Sequence, residues 1–315
     1  MLRLALLTTL SLAVAATSVG ACSGQLALGD HPDAAAPDAS APFVDPGPSS
    51  PAGIGDAAQD AKEGGRGLCD VYCTPTPFAS VTNATGLACG PDAIYVGTSD
   101  GKLIAVPYDT RTKTEYSPAA SSAIGYLAYD GGKLFYTLPT LGEVHVRTLA
   151  TGDDERLAAG EPEPQGVIVT GEDVFFVTTS ALRRVARTGT DQVPSLRADW
   201  ADSGAAPGVG LTMLGTRFLV TRPASDYRTL YSANGTVLQD EPRMFYPAAV
   251  TSSPSSTSVV YYASSASTAL IMAEDIFGRT TRILAMNQFL PAGVCIHEGR
   301  LYFVTESEIR FLDVE

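Results

Sequence analysis

The sequence predicts an all-β fold: a six-bladed β-propeller of four-stranded antiparallel blades behind a disordered N-terminal tether. One observation is a turn followed by an apolar, aromatic strand, Gly299-Arg300-Leu301-Tyr302-Phe303-Val304-Thr305. Five near-copies precede it: Ala93 to Thr98, Gly132 to Thr137, Glu172 to Thr178, Thr216 to Thr221 and Ser258 to Tyr262. A second is spacing. Anchored on Ile94, Leu134, Val174, Phe218, Val260 and Leu301, the copies lie 40, 40, 44, 42 and 41 residues apart. A strand-only period of ~40–45 residues corresponds to one propeller blade per repeat. The third is composition. Charged residues are 17% and apolar ones 45%, with 30 Gly and 13 Tyr, which suits strands joined by tight turns.

In chain order, residues 1–21 read as a secretory signal. Arg3 supplies a positive charge, and Leu4 to Val19 is apolar but too short for a stable membrane span. Val19-Gly20-Ala21-Cys22 resembles the bacterial lipobox, in which small residues precede the cysteine that is modified. The resemblance implies that Cys22 is lipidated and heads the mature chain. More than one hydrocarbon chain on Cys22 would anchor it stably to a membrane. Ser23, rather than Asp, implies by the same resemblance the outer membrane, facing the periplasm or the cell surface.

Residues 22–66 carry no hydrophobic period. Runs such as Asp33-Ala34-Ala35-Ala36-Pro37 and Pro46-Gly47-Pro48-Ser49-Ser50-Pro51 cannot bury enough surface to order themselves. They read as a tether with an r.m.s. reach of roughly 35–40 Å. Residues 67–77 form a short cysteine segment with Cys69 and Cys73; Cys89 and Cys295 lie within the repeats. Four cysteines besides Cys22, in an exported chain, predict two disulfides with three possible pairings. A bond from Cys69 or Cys73 to a repeat cysteine would fasten this segment to a blade. A four-cysteine zinc site would need two close pairs, and only one is present.

Residues 78–315 hold the propeller. Each repeat opens on a small, apolar strand, such as Gly86-Leu87-Ala88 or Gly293-Val294-Cys295, placed nearest the crowded axis. A tight turn, the aromatic strand, a third strand and a more polar fourth strand follow. The last repeat stops after its third strand. Phe78 to Asn83, just before the first repeat, is predicted to supply the missing strand and close the ring, leaving no open edge there.

The pattern resembles six-bladed propellers of the NHL type over residues 78–315. Some relatives of that type are metal-dependent lactonases or hydrolases with Glu, Asn and Asp aimed at an ion on the axis. The innermost strands here carry Gly, Ala, Val, Leu, Ile and Cys instead, which disfavours such chemistry in the channel. No nucleophile, P-loop, dinucleotide or metalloprotease motif is visible, and neither a metal, a cofactor nor a catalytic residue is expected. His31, His145 and His297 stand without a partner at motif spacing, and Gly152-Asp153-Asp154-Glu155 reads as a solvated hairpin turn. A formal net charge of −13 opposes nucleic-acid binding.

The expected activity is binding: an envelope-anchored lipoprotein whose propeller engages a protein or glycan partner. The alternative is a hydrolase or lactonase-like enzyme with its site on the loop rim. Loops entering each blade, and those between its second and third strands, gather on one face. They carry the candidate contact residues Trp200, Arg222, Asp226, Arg243, Tyr246 and Phe289, of types that recognition sites favour. Trp200 and Tyr246 have an equally strong competing role as packing between blades.

Overall fold

A computed structural model describes residues 73–116, 122–200, 209–222, 227–232, 234–242, 247–264, 269–288 and 291–314. The signal, the tether, Cys22 and Cys69 lie outside them, and the described residues all belong to one unit of the chain, Lys62–Glu315.

The chain opens with β1 (Thr76–Ser80). Blade 1 follows as β2 (Ala84–Cys89), β3 (Ala93–Thr98), β4 (Leu103–Pro107) and β5 (Thr114–Tyr116). Blade 2 is β6 (Leu127–Asp130), β7 (Lys133–Leu138), β8 (Glu143–Thr148) and β9 (Asp154–Ala158). Blade 3 is β10 (Val167–Thr170), β11 (Asp173–Val177), β12 (Ala181–Ala186) and β13 (Ser195–Asp199). Blade 4 is β14 (Gly210–Leu214), β15 (Arg217–Arg222), β16 (Tyr227–Tyr231) and β17 (Val237–Pro242). Blade 5 is β18 (Pro247–Ser252), β19 (Val259–Ser264), β20 (Ile271–Asp275) and β21 (Thr280–Ala285). Blade 6 is β22 (Val294–His297), β23 (Arg300–Val304) and β24 (Glu308–Asp313).

Five of the sheets are antiparallel meanders of consecutive strands, and the innermost strands β2, β6, β10, β14, β18 and β22 touch in sequence round to β2 again. The sixth sheet has the order β1-β24-β23-β22, so an N-terminal strand completes the C-terminal blade. That strand begins at Thr76, slightly before the expected Phe78, and pairs Ser80 with Glu308 and Thr76 with Phe311.

The six anchors of the repeat all lie on second strands and are buried to 2% exposure or less. Both faces of a blade are covered by its neighbours, so second strands are apolar throughout. Leu134, Tyr136 and Leu138 enter the core shared with blade 1, while Phe135 enters the core shared with blade 3. One apolar core fills each of the six seams. Each fully buried large side chain there contributes about 1.5–3 kcal/mol of transfer free energy.

Near the axis, crowding selects glycine. A Cβ on Gly86 would sit 2.4 Å from the Gly125 carbonyl oxygen of the next blade, and one on Gly293 2.7 Å from the Leu87 nitrogen. These are backbone contacts that no rotamer change relieves.

A buried hydroxyl recurs at the end of each second strand: Thr98, Thr137, Thr178, Thr221, Ser264 and Thr305. Thr98 and Thr178 each accept from a backbone N–H across the following turn, Lys102 at 2.9 Å and Ala181 at 3.0 Å. Thr137 and Thr221 accept instead from the first strand's lead-in, Tyr126 N–H and Gly210 N–H, both at 3.0 Å. In these four repeats the Thr that looks like a mere β-former is satisfying a backbone donor that burial would leave orphaned, while the Thr305 hydroxyl donates to the Glu308 carbonyl at 3.2 Å.

Of the three cysteine pairings left open, the structure takes the one that joins the two repeat cysteines. Cys89 on β2 and Cys295 on β22 bond to each other, their Cα atoms 5.6 Å apart, so the two repeat cysteines staple blade 1 to blade 6. Cys73 is also disulfide-bonded, to a partner outside the described residues, and is not fastened to a repeat cysteine. It is held to blade 5 by its backbone N–H, which donates to the Leu284 carbonyl at 2.8 Å.

The Cys89–Cys295 bond closes a loop of sequence separation 206, and constraining the unfolded chain by such a loop is worth about 2–5 kcal/mol. The Cys89→Ala/Cys295→Ala variant is expected to lose that amount in urea unfolding while keeping its β-sheet circular dichroism. An unchanged midpoint would show that the staple adds nothing to the strand closure beside it.

Candidate functional site

The axis is a narrow cavity of about 170 Å³ lined from all six innermost strands, among them Leu87, Leu127, Val167, Leu211, Val250 and Val294. Its polar side chains are Tyr126, Tyr129, Thr212 and Thr251, with the Cys89–Cys295 pair on its wall. Among the described residues, that lining holds no carboxylate and no imidazole.

Tyr126 decides what the axis can do. It precedes β6 in blade 2, and its hydroxyl donates to the Ala248 carbonyl in blade 5, on the far side of the ring. The ring therefore spans the channel near the end where the entering loops gather. Burial pushes the Tyr126 hydroxyl well above the ordinary phenol range, so it stays a neutral donor.

On that entering-loop face, the structure brings two predicted rim residues together. The Arg222 guanidinium lies over the Trp200 ring at 5.0 Å and donates to the Tyr231 hydroxyl at 3.0 Å. Trp200 stacks on Tyr231 at 6.1 Å and donates its indole N–H to the Thr179 carbonyl at 3.0 Å. Trp200 and Arg222 are each 4% exposed, so the pair forms the outer end of the seam between blades 3 and 4. Ala198 and Asp199, just before Trp200, belong to β13, so Trp200 directly follows the strand's end. Asp226, Arg243, Tyr246 and Phe289 lie outside the described residues.

The acidic turn before β9 is not simply solvated. Asp154 has a side chain 6% exposed and accepts from the Tyr136 hydroxyl at 2.6 Å. It also holds His145 Nδ1 at 3.0 Å, while His145 Nε2 lies 3.0 Å from Glu143. Arg147 reaches Asp154 at 3.4 Å, and Arg156 bridges Glu143 and Asp191. Burial alone would lower the His145 pKa, but hydrogen bonds to Asp154 and Glu143 override it and raise the value above 6.5. This network braces blade 2 and, through Arg156 and Asp191, ties it to blade 3.

The opposite face, where first-to-second and third-to-fourth strand turns gather, carries a hollow the sequence reading missed. Its volume is about 470 Å³. Tyr95, Tyr108, Tyr116 and His297 line it, over a floor of Ala93, Ala105 and Pro107. Tyr95 stacks on Tyr129 at 5.4 Å and 4°, and Tyr108 on His297 at 4.1 Å and 6°. A Cβ on Gly90 would come within 2.7 Å of the Tyr95 ring, so only glycine lets that stack form. The Tyr108 hydroxyl donates to the Gly90 carbonyl at 3.2 Å. Burial, with Tyr129, Tyr116 and Asp92 near it, pushes the Tyr95 hydroxyl up to about 12. Asp92, Asp109 and Glu298 complete the lining. The available signal was the crowding of tyrosines into the first two repeats.

No protein-family model matches the chain, and no curated protein matches it either. Solved structures do share its fold. A streptogramin B lyase is 11% identical with a TM-score of 0.56, covering 77% of this chain and 98% of that one. An aldose sugar dehydrogenase from Streptomyces coelicolor, in its PQQ-bound form, is 12% identical with a TM-score of 0.58, covering 76% and 96%. A chain of a nidogen/laminin complex is 16% identical with a TM-score of 0.56, covering 64% and 80%. Identities this low speak for the propeller fold alone.

Two outcomes are expected here. Tyr126→Phe leaves the Ala248 carbonyl without this donor and is expected to cost about 0.5–1.5 kcal/mol in denaturant unfolding. For His145, a raised folded pKa means that its contribution is complete below pH 6.5 and is lost as pH rises through the elevated value. The melting-temperature gap between wild type and His145→Gln should therefore be widest near about pH 5–6 and shrink toward about pH 9. A gap that grows with pH would contradict the bridged imidazolium.

Proposed function

We propose that this chain is an envelope-anchored lipoprotein, held through Cys22 in the outer membrane, whose propeller is a binding or assembly module for a protein or glycan partner. The observation that carries the binding role is Tyr126. A side chain hydrogen-bonded from blade 2 to blade 5 occupies the axis, and the channel lining offers no described acid, base or nucleophile for a reaction there. Recognition is left to the faces of the ring.

Export is supported by chemistry of another kind. Cys89, Cys295 and Cys73 are all disulfide-bonded, as befits an oxidising compartment. The apolar segment ending in Val19-Gly20-Ala21-Cys22 supplies the address. The fold itself serves both trades: a lyase and a dehydrogenase share it, and so does a chain of a nidogen/laminin complex.

Intact-mass and tryptic mass spectrometry of the native host's membrane fraction tests the anchor, and crosslinking in intact cells tests the binding role. The expected result is a lipid-modified Cys22 at the mature N-terminus and a single crosslinked adduct of defined mass on the propeller. A soluble chain starting elsewhere would end the anchored reading. Hydrolytic turnover of an ester or lactone panel by the purified chain would end the binding reading.

A further inference from the structure

The hollow on the turn face of blades 1 and 6 is assigned no role by the ring's architecture. Its chemistry is lopsided. The lining combines four aromatic rings with three carboxylates, and among the described lining residues there is no lysine, no arginine and no side-chain amide. A neutral ligand such as a sugar is held by donors and acceptors in balance, whereas this surface is an excess of negative charge on an aromatic wall.

Carboxylates beside aromatic faces suit a cation, and the geometry narrows which kind. Among the described residues no three His, Cys, Asp or Glu side chains converge on a point that could hold a metal ion. Asp92, Asp109 and Glu298 come from three different turns and stand around the hollow, so the charge they oppose is spread over a larger ion. The volume, about 470 Å³, falls in the usual range for a small organic ligand. Tyr116 already carries one cation: the Arg147 guanidinium lies over its ring at 5.7 Å while bonded to Asp154. Arg111, on the same turn as Asp109, lies over the Phe78 ring at 4.9 Å, and Glu298 has the His297 imidazole 3.9 Å away.

The walls are also built to hold their shape. Tyr95 is braced by Tyr129, and Tyr108 by both His297 and the Gly90 carbonyl. The Cys89–Cys295 bond ties together the two strands that lead into the Gly90 and Glu298 turns. Little ordering remains to be done on binding, and preorganisation of this sort favours affinity.

We propose that this hollow binds an alkylammonium group, its N-methyls or methylenes against Tyr95, Tyr108 and Tyr116 and its charge opposed by Asp92, Asp109 and Glu298. Aromatic enclosure of ammonium ions is an established mode of recognition. The assignment concerns the head alone and holds whether or not Cys22 is lipidated.

Calorimetric titration of the mature chain tests it with two probes, choline for a quaternary headgroup and Nα-acetyl-lysine amide for a protein side chain. Saturable binding of either supports the proposal, and the tighter probe identifies the source of the ammonium. 3,3-Dimethylbutanol, the uncharged isostere of choline, is expected not to bind. Asp92→Asn/Glu298→Gln alters two exposed turn residues and is expected to weaken the cation about tenfold or more with an unchanged melting temperature. Tyr116→Leu should weaken it several-fold. The proposal is overturned if neither probe binds, if the isostere binds as well as choline, or if the double variant binds as the wild type does. A neutral disaccharide bound equally by wild type and double variant would overturn it too and give the hollow to saccharides. None of these results bears on the Cys22 anchor or on crosslinking at the entering-loop face.

Discussion

Everything in this molecule depends on one seam being closed. A propeller blade has no hydrophobic face of its own to spare: each sheet is covered on both sides by neighbours, and each of the six cores is shared between two blades. Five seams form between consecutive segments of chain. The sixth joins the two ends of the domain and is the costliest to form in chain entropy. It is secured in two ways: β1 pairs with β24, and Cys89 bonds to Cys295. The first removes an open edge, and the second shrinks the unfolded ensemble.

Closure sets the character of the axis. Six innermost strands brought together leave room for glycine at Gly86 and Gly293 and for one large side chain crossing the middle. Tyr126 fills that place and satisfies its hydroxyl on the opposite blade. The axis is thereby part of the core, and the chemistry available to a partner lies on the two turn-bearing faces. They are unalike. On one, Arg222 and Trp200 are folded into the seam between blades 3 and 4; on the other, tyrosines and carboxylates stand around an open hollow.

The repeat made the fold legible. Second strands are buried on both faces, so their apolar runs are long, and the six anchors Ile94, Leu134, Val174, Phe218, Val260 and Leu301 stand out. Outer strands leave a weaker trace: β13 and β17, with Leu196, Val237 and Leu238 about half exposed, show no alternation that would have marked them. The His145–Asp154 contact was hidden because its partners are joined by a hairpin whose register shifts at Val144/His145, so no fixed spacing announces it. The hollow was hidden for a deeper reason. Tyr95, Tyr108 and Tyr116 belong to blade 1 but His297 and Glu298 to blade 6, about 200 residues away, and only ring closure brings them together. The buried hydroxyls were in plain view as Thr98, Thr137, Thr178 and Thr221, yet a threonine at a strand end reads as β-propensity until its acceptor role is seen.

The placing of β1 has a mechanical side. The strand that completes the sixth blade is also the one the preceding chain enters, at Thr76. Any pull on that chain meets the hydrogen bond from Cys73 to Leu284 on blade 5 and then the β1–β24 ladder. A tug that stripped β1 away would expose the edge of β24 but would leave the Cys89–Cys295 bond between blades 6 and 1 intact. The ring can thus give at its outermost strand and still not open, as a clasp yields before the band it fastens.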